Sequence, residues 1–321
     1  MFLLGIDIGG TNIKIGFIEK ETGDLIFSTQ MPFQKELGYK KICKNIRDNA
    51  LALAVNHGIN MDEIISVGAA VPGSIDPDEK TVINAYNLDF ENVPLKEELS
   101  RLFTDKNIII VNDASAAAFA EFKKGALEGF STAVFLTIGT GLGGGLVING
   151  KLFNGGRGHG VEPGHMIIDC YGDKCTCGNI GCAETLCSAS WLVKQGISVL
   201  KSYPDSLITI RSGADPERVS AKLVIDAVRS GDTAAIRIFN EFLDNLSSAI
   251  ASMANILDPE IIAIGGGISA AGDILYIPLE LKVNDKTFFN EEYKVVPAVM
   301  GNDAGMIGAA LLAAENAGEK R

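Results

Sequence analysis

Leu3-Leu4-Gly5-Ile6-Asp7-Ile8-Gly9-Gly10-Thr11-Asn12-Ile13-Lys14-Ile15-Gly16-Phe17-Ile18-Glu19 runs from one apolar stretch through a small, polar turn into a second apolar stretch. Short apolar runs closed by turn residues read as strands, so Leu3–Ile8 and Ile13–Glu19 are predicted to flank a glycine turn. The pattern returns about 130 residues later, with Ala133–Ile138, a turn over Gly139–Gly145, and Leu146–Asn149. Such a recurrence predicts a duplicated unit. Other predicted strands are Asp24–Thr29, Ile64–Val71, Ile108–Val111 and Ile261–Ile264. Apolar residues at helical spacing predict helices over Gly38–His57, Ala114–Lys124, Ala189–Tyr203, Ser220–Ser230, Thr233–Leu257 and Ala304–Ala317. Strands alternating with helices in each half predict an α/β protein with two sheets and a cleft between two domains.

The glycine turns carry the first chemical signal. Gly9 and Gly10 would let the backbone approach a phosphate, helped by φ > 0. Thr11 and Asn12 add donors, and Asp7 could hold Mg²⁺ directly or through water. A plain hairpin turn is the competing reading. Gly139-Thr140-Gly141 opens the second turn. No helix follows it, so it fits a phosphate clamp better than a dinucleotide fingerprint, and the P-loop pattern is absent. Gly265-Gly266-Gly267 ends a strand at an edge where ligands of open α/β sheets bind. Three such turns together point to ATP.

Composition narrows the classes. The net charge of −12 argues against a nucleic-acid binder, which needs clustered Lys and Arg. No stretch reaches the roughly 18 apolar residues of a membrane span. The start has no basic region and carries Asp7 inside its apolar run, which is unlike a signal peptide. A cytoplasmic protein is therefore expected. Five of the six cysteines lie between Cys170 and Cys187, which argues for a local site rather than a disulfide scaffold.

Cys175, Cys177 and Cys182, with His165 upstream, make a Cys₃His set of the kind that binds structural Zn²⁺. Gly178 and Gly181 would let the chain fold back. Buried free thiols, or an iron–sulfur cluster drawing on Cys170 or Cys187, are the competing readings. Asn112-Asp113 stands where a strand gives way to a helix. There Asp113 could accept a proton from an attacking hydroxyl or merely cap the helix. Glu162 and Glu184 flank the metal set, and paired carboxylates suit a polyhydroxyl ligand. A solvated role is the alternative.

These motifs resemble the ROK family (repressors, open reading frames, kinases) of the sugar-kinase/actin superfamily. Cys175–Glu184 matches C-x-C-G-x-x-G-C-x-E, Glu162–His165 matches E-x-G-H, and Asp7–Thr11 matches D-x-G-G-T. The resemblance covers nearly the whole chain. It implies a two-domain actin-like (ribonuclease H-like) ATPase fold. The first domain would span 1–115, completed by a C-terminal helix at about 302–321, and the second 116–301.

Carried over by position, the resemblance implies that Asp113 is the base acting on a sugar 6-hydroxyl. It also implies that Gly73, Asn87, Asn112, Glu162, His165 and Glu184 form the sugar site, with Asn84 a rival to Asn87. Gly9, Gly10, Thr11, Asn12, Thr140 and Gly141 would approach the ATP phosphates, and Gly266 and Gly267 would lie near adenosine. The first strand begins at residue 3, leaving no room ahead of it for the helix-turn-helix of ROK repressors. The expectation is an ATP- and Mg²⁺-dependent hexose kinase with structural Zn²⁺, acting as a homodimer. Glucose comes first, and N-acetylmannosamine, N-acetylglucosamine, fructose and allose are rivals. A non-catalytic sugar sensor is the alternative of another class. A zinc-knuckle nucleic-acid module is disfavoured, because Lys174 is the only Lys or Arg between Arg157 and Lys194.

Overall fold

A computed structural model describes residues 1–319. In chain order the first elements are β1 (Phe2–Ile8), β2 (Asn12–Glu19), β3 (Leu25–Pro32), α1 (Gly38–Asn56) and β4 (Ile64–Val71). The short strands β5 (Ser74–Ile75), β6 (Val82–Ala85) and β7 (Phe90–Val93) follow, then α2 (Leu95–Leu102), β8 (Asn107–Asn112) and α3 (Asp113–Lys124). Next come β9 (Ala133–Ile138), β10 (Leu142–Ile148), β11 (Lys151–Leu152), α4 (Glu184–Cys187), α5 (Ala189–Ser202) and α6 (Leu207–Ser212). The chain ends with α7 (Ala221–Arg229), α8 (Thr233–Leu257), β12 (Ile261–Gly265), α9 (Asp273–Lys286), β13 (Val295–Pro297) and α10 (Ala304–Glu319).

The chain divides into two compact units. The first comprises Met1–Gly129, Gly145–Val161 and the stretch from Met300 onward; the second comprises Phe130–Gly144 and Glu162–Val299. The sequence-based boundary at 115/116 falls inside the continuous helix α3.

In the first unit the sheet order is β3-β2-β1-β4-β8. β1 pairs antiparallel with β2 and parallel with β4, and β4 pairs parallel with β8. One sheet face carries Leu4, Ile6, Ile8, Ile13, Ile15 and Phe17 into a core with Ile42 and Ile46 of α1. The other carries Leu3 and Ile18 against Ala120 of α3 and Ala304, Ile307 and Ala310 of α10. Glycines let α10 lie close. A Cβ at Gly68 would stand 1.9 Å from the Ala309 carbonyl oxygen, and one at Gly308 only 1.8 Å from that of Ala116. This close packing is why the last helix reads as an Ala- and Gly-rich stretch.

The second large sheet has the order β11-β10-β9-β12-β13, with β9, β12 and β13 parallel. It repeats the order of the first sheet, as the duplicated hairpins predict. The second turn is shorter than expected. Gly143-Gly144-Gly145 lies in β10 rather than in the turn. The reason is close packing, because a Cβ at Gly144 would meet the Phe135 carbonyl oxygen at 2.4 Å.

Candidate active site

Parallel β1, β4 and β8 bring their carboxyl ends to one edge of the first sheet. Asp7 pairs in register with Ala70, and Ala70 with Val111. Asp7, Pro72-Gly73 and Asn112-Asp113 therefore gather at the edge where open α/β sheets bind ligands. Asp7 also faces Lys14 across the β1–β2 hairpin. Lys14 Nζ lies 3.2 Å from Asp303 Oδ1 and donates to the Asn302 carbonyl. The Asp7 carboxylate packs against Gly305 at the start of α10. Burial, reinforced by the Asp113 charge, pushes the Asp7 carboxyl up to about 6, with Lys14 pulling the other way. Sequence reasoning missed Lys14 and Asp303, although hairpin register alone would have paired Lys14 with Asp7.

The Gly9–Asn12 turn is closed by Gly9 N–H donating to Asn12 O at 3.0 Å, and Phe33 N–H donates to Thr11 O at 2.8 Å. The glycines do not serve here as expected, since neither Gly9 nor Gly10 has positive φ. Nor does packing demand glycine at 10, where a Cβ would meet nothing closer than 3.5 Å. Gly10, Thr11 and Asn12 are exposed, so the backbone lies open to a ligand. The nearest neighbour of that virtual Cβ is Asn87, with its Nδ2 at 3.6 Å. Its rival Asn84 lies half-buried in β6, paired with Ser74 and Glu91. The structure thus brings Asn87 to the turn and leaves Asn84 in the small sheet.

Asn112 caps α3: its Oδ1 accepts from Ala114 N–H at 3.0 Å and Ser115 N–H at 3.1 Å. Its Nδ2 donates to the Gly73 carbonyl at 3.1 Å, which leaves one amide hydrogen for a ligand. Gly73 is required by its own backbone, with φ at 89° and no room for a Cβ beside the Asn84 carbonyl. The capping role weighed for Asp113 thus belongs to Asn112. Asp113 Oδ1 accepts from Ala114 N–H at 2.8 Å. Burial holds its carboxyl above the ordinary range, partly offset by the backbone N–H groups of Ala114 and of Asp113 itself. A carboxylate with open acceptor capacity and raised basicity suits proton abstraction.

In the second unit the turn over Gly139–Gly141 is held from behind. Gly139 O accepts from Ala189 N–H at 2.8 Å, and Thr140 O from Ser190 Oγ at 2.7 Å. The Gly266 turn comes against the same place. With φ at 78°, a Cβ on Gly266 would lie 2.4 Å from Ile138 O, whereas Gly267 faces open space. Arg229 Nη2 donates to the carbonyls of Ala270 and Ala271 and pins the segment after that turn. Arg229 and Ser190 carry no motif that sequence reasoning could have used. Glu162 stands exposed at the head of the Pro163–His165 turn. Glu184 is half-buried and accepts from Leu142 N–H at 3.0 Å.

The predicted metal ligands converge. One ligand atom from each of His165, Cys175, Cys177 and Cys182 falls within 4.8 Å of the others. Cys177 and Cys182 sulfurs are 3.6 Å apart, and Cys175 Sγ is 3.7 Å from His165 Nδ1. A Zn–S bond of about 2.3 Å gives a tetrahedral edge of about 3.8 Å, so these spacings fit a metal and exclude a disulfide. Gly178 and Gly181 both take positive φ, and a Cβ at Gly181 would collide with Asp169 O. His165 presents Nδ1 to the thiols, which leaves Nε2 for another partner.

The family model described as ROK matches residues 3–316. The chain belongs to the ROK family. ROK relatives include a glucokinase of Thermotoga maritima, 37% identical over 98% of both chains, and one of Halalkalibacterium halodurans, 34% identical over 99% and 97%. A xylose repressor of Caldicellulosiruptor bescii is 28% identical over 91% of this chain and 72% of its own. Among solved structures, a ROK glucokinase from Streptomyces griseus in complex with glucose and AMPPNP superposes with TM-score 0.82 and 28% identity. It covers 98% of this ROK chain and 100% of its own. The α/β architecture with two sheets of matching order is the actin-like ATPase fold of these ROK proteins.

Proposed function

We propose that this ROK protein transfers the γ-phosphoryl group of ATP to the 6-hydroxyl of a hexose, glucose first. The observation that carries the reading is Asp113. Asn112 relieves it of capping, and burial raises its basicity at the carboxyl edge of the sheet. In the first unit Asp113 takes the proton of the attacking hydroxyl, while Asn112 and Asn87 donate to the sugar. The Gly9–Asn12 backbone receives phosphate oxygens. Asp7 is placed to hold Mg²⁺, which when bound supplies positive charge to the phosphates. In the second unit Glu162, His165 Nε2 and Glu184 accept from or donate to sugar hydroxyls, Thr140 and Gly141 face phosphates, and Gly266 and Gly267 face adenosine. His165, Cys175, Cys177 and Cys182 hold structural Zn²⁺, because four protein ligands leave no open position for catalysis.

Among the described residues no helix is long and apolar enough to cross a membrane. A homodimer belongs to the same reading, and sedimentation tests it. The central experiment is a coupled ADP-release assay over glucose, mannose, fructose, allose and the two acetamido sugars. Turnover is expected to be highest with glucose; a higher kcat/KM for an acetamido sugar moves the specificity within the family. The repressor relative keeps a sugar-sensor reading in play. A sensor would bind sugar and be indifferent to Asp113→Asn, whereas the kinase loses turnover.

A further inference from the structure

Leu142 follows the second glycine turn directly and is gripped on both sides of its backbone. Its N–H donates to Glu184 Oε2 at 3.0 Å. Its carbonyl oxygen abuts Gly164, where a Cβ would stand at 1.9 Å, one residue before the metal-facing His165. Gly141 has room for no side chain, since a Cβ there would lie 2.2 Å from the same Glu184 oxygen. The other Glu184 oxygen is 3.8 Å from Cys175 Sγ. Cys182, two residues before Glu184, accepts through its carbonyl from Thr185 N–H at 2.9 Å and Thr185 Oγ1 at 2.7 Å. The same segment reaches Gly139 and Thr140 through Ala189 and Ser190. Gly139, Thr140 and the following Leu142 are thus hydrogen-bonded to one stretch, 184–190, whose N-terminal end is anchored at a knuckle cysteine.

We infer that Glu184 is a positioning residue for the nucleotide turn, and that it links the metal knuckle to the backbone that meets the ATP phosphates. The inference rests on the reading of Gly139–Gly141 as a phosphate turn. A backbone turn binds phosphate well only when its N–H groups are already aimed. Glu184 occupies the rearward Leu142 N–H, so the Thr140 and Gly141 N–H groups are left to the ligand. Loss of the metal frees Cys182, loosens the start of α4 and releases the turn. Nucleotide affinity therefore depends on the knuckle even when no sugar is present.

The test is calorimetric titration of the full chain with MgADP in the absence of sugar. Glu184→Ala is expected to weaken MgADP by about tenfold, the scale of one hydrogen bond to a charged group. Glu184→Gln, whose amide oxygen still accepts, stays within about threefold of wild type. Zinc-depleted wild type weakens like the Ala variant. Hydrogen exchange over residues 139–146 speeds up in both. Unchanged MgADP affinity in Glu184→Ala, with only sugar affinity reduced, overturns the inference and leaves Glu184 a sugar contact alone. Where the Ala variant does not fold, wild type with and without zinc decides, and unaltered exchange over 139–146 overturns it. If wild type binds no MgADP at all, the phosphate-turn reading fails, while the exchange comparison still judges the linkage.

Discussion

The two glycine turns stand at matching places in duplicated sheets, yet they are built differently. β1 delivers Asp7 two residues before its turn, where β9 delivers Thr137. Both turns close on their own backbone, Gly9 N–H donating to Asn12 O and Gly139 N–H to Gly141 O, each at 3.0 Å. The first is also held by Phe33 and has a partly buried acid behind it. The second has Thr137 in the place of that acid and is clamped from outside by Glu184, Ala189 and Ser190. The duplicated scaffold thus supplies open backbone twice. An acid on the strand itself is added in one copy, and an outside clamp that includes the Glu184 carboxylate in the other. The charged copy carries a folding cost, because desolvated carboxylates with raised pKa oppose folding at neutral pH.

The largest effect should come from the charged copy. Asp113→Asn is expected to lower kcat by about a thousandfold, within the range for a general base. Sugar affinity by calorimetry should stay near wild type. Equal loss of sugar affinity would make Asp113 a binding rather than a catalytic group. In wild type the acid limb of the pH–rate profile should lie above the ordinary carboxylate range, since burial raises the Asp113 carboxyl.

Asp7→Asn should cost activity and increase stability. The Asp7 carboxyl rises from an ordinary 3.8 to about 6. The folded state therefore binds its proton more tightly, and stability is lost as pH rises through that window. Removing the charge should recover at most about 3 kcal/mol at pH 8. The gain should vanish near pH 4. Urea midpoints that do not differ between the variants at pH 8 would remove the cost assigned to this half.

In the clamped copy, Cys177→Ser or zinc removal should raise the KM for glucose by about tenfold or more, with a smaller change in kcat. An unchanged KM would detach the knuckle from the sugar loop. Smallest of all, Lys14→Met should cost about 0.5 to 1 kcal/mol, because the Lys14–Asp303 pair is partly exposed. It should also raise the Asp7 carboxyl further, readable by carboxylate NMR titration. An unchanged value would mean that Lys14 does not act on Asp7.

Much of this was legible in the sequence where the signal is local. The hairpins, Ile64–Val71 and the Thr233–Leu257 helix follow from apolar runs and periodicity, and the metal set follows from tight cysteine spacing. What stayed hidden was either irregular or long-range. Helix α9 carries Ile274, Leu275, Tyr276 and Ile277 in succession and Pro278 inside, which erases the helical period. The glycine run 143–145 reads as a turn, although all of it is strand, with Gly144 packed against Phe135 O. Lys14 meets Asp303 from the far end of the chain, and Glu184 meets Leu142 across two elements. That Asn87 lies beside the first glycine turn while Asn84 is paired in the small sheet needed the fold.

The most direct measurement compares wild type and Asp113→Asn in an ADP-release assay with saturating glucose and MgATP, with the sugar product identified by mass spectrometry and NMR. The account predicts glucose 6-phosphate from wild type and turnover about a thousandfold lower from the variant. Equal rates from the two proteins, or wild-type ADP release that leaves glucose unmodified, would contradict it.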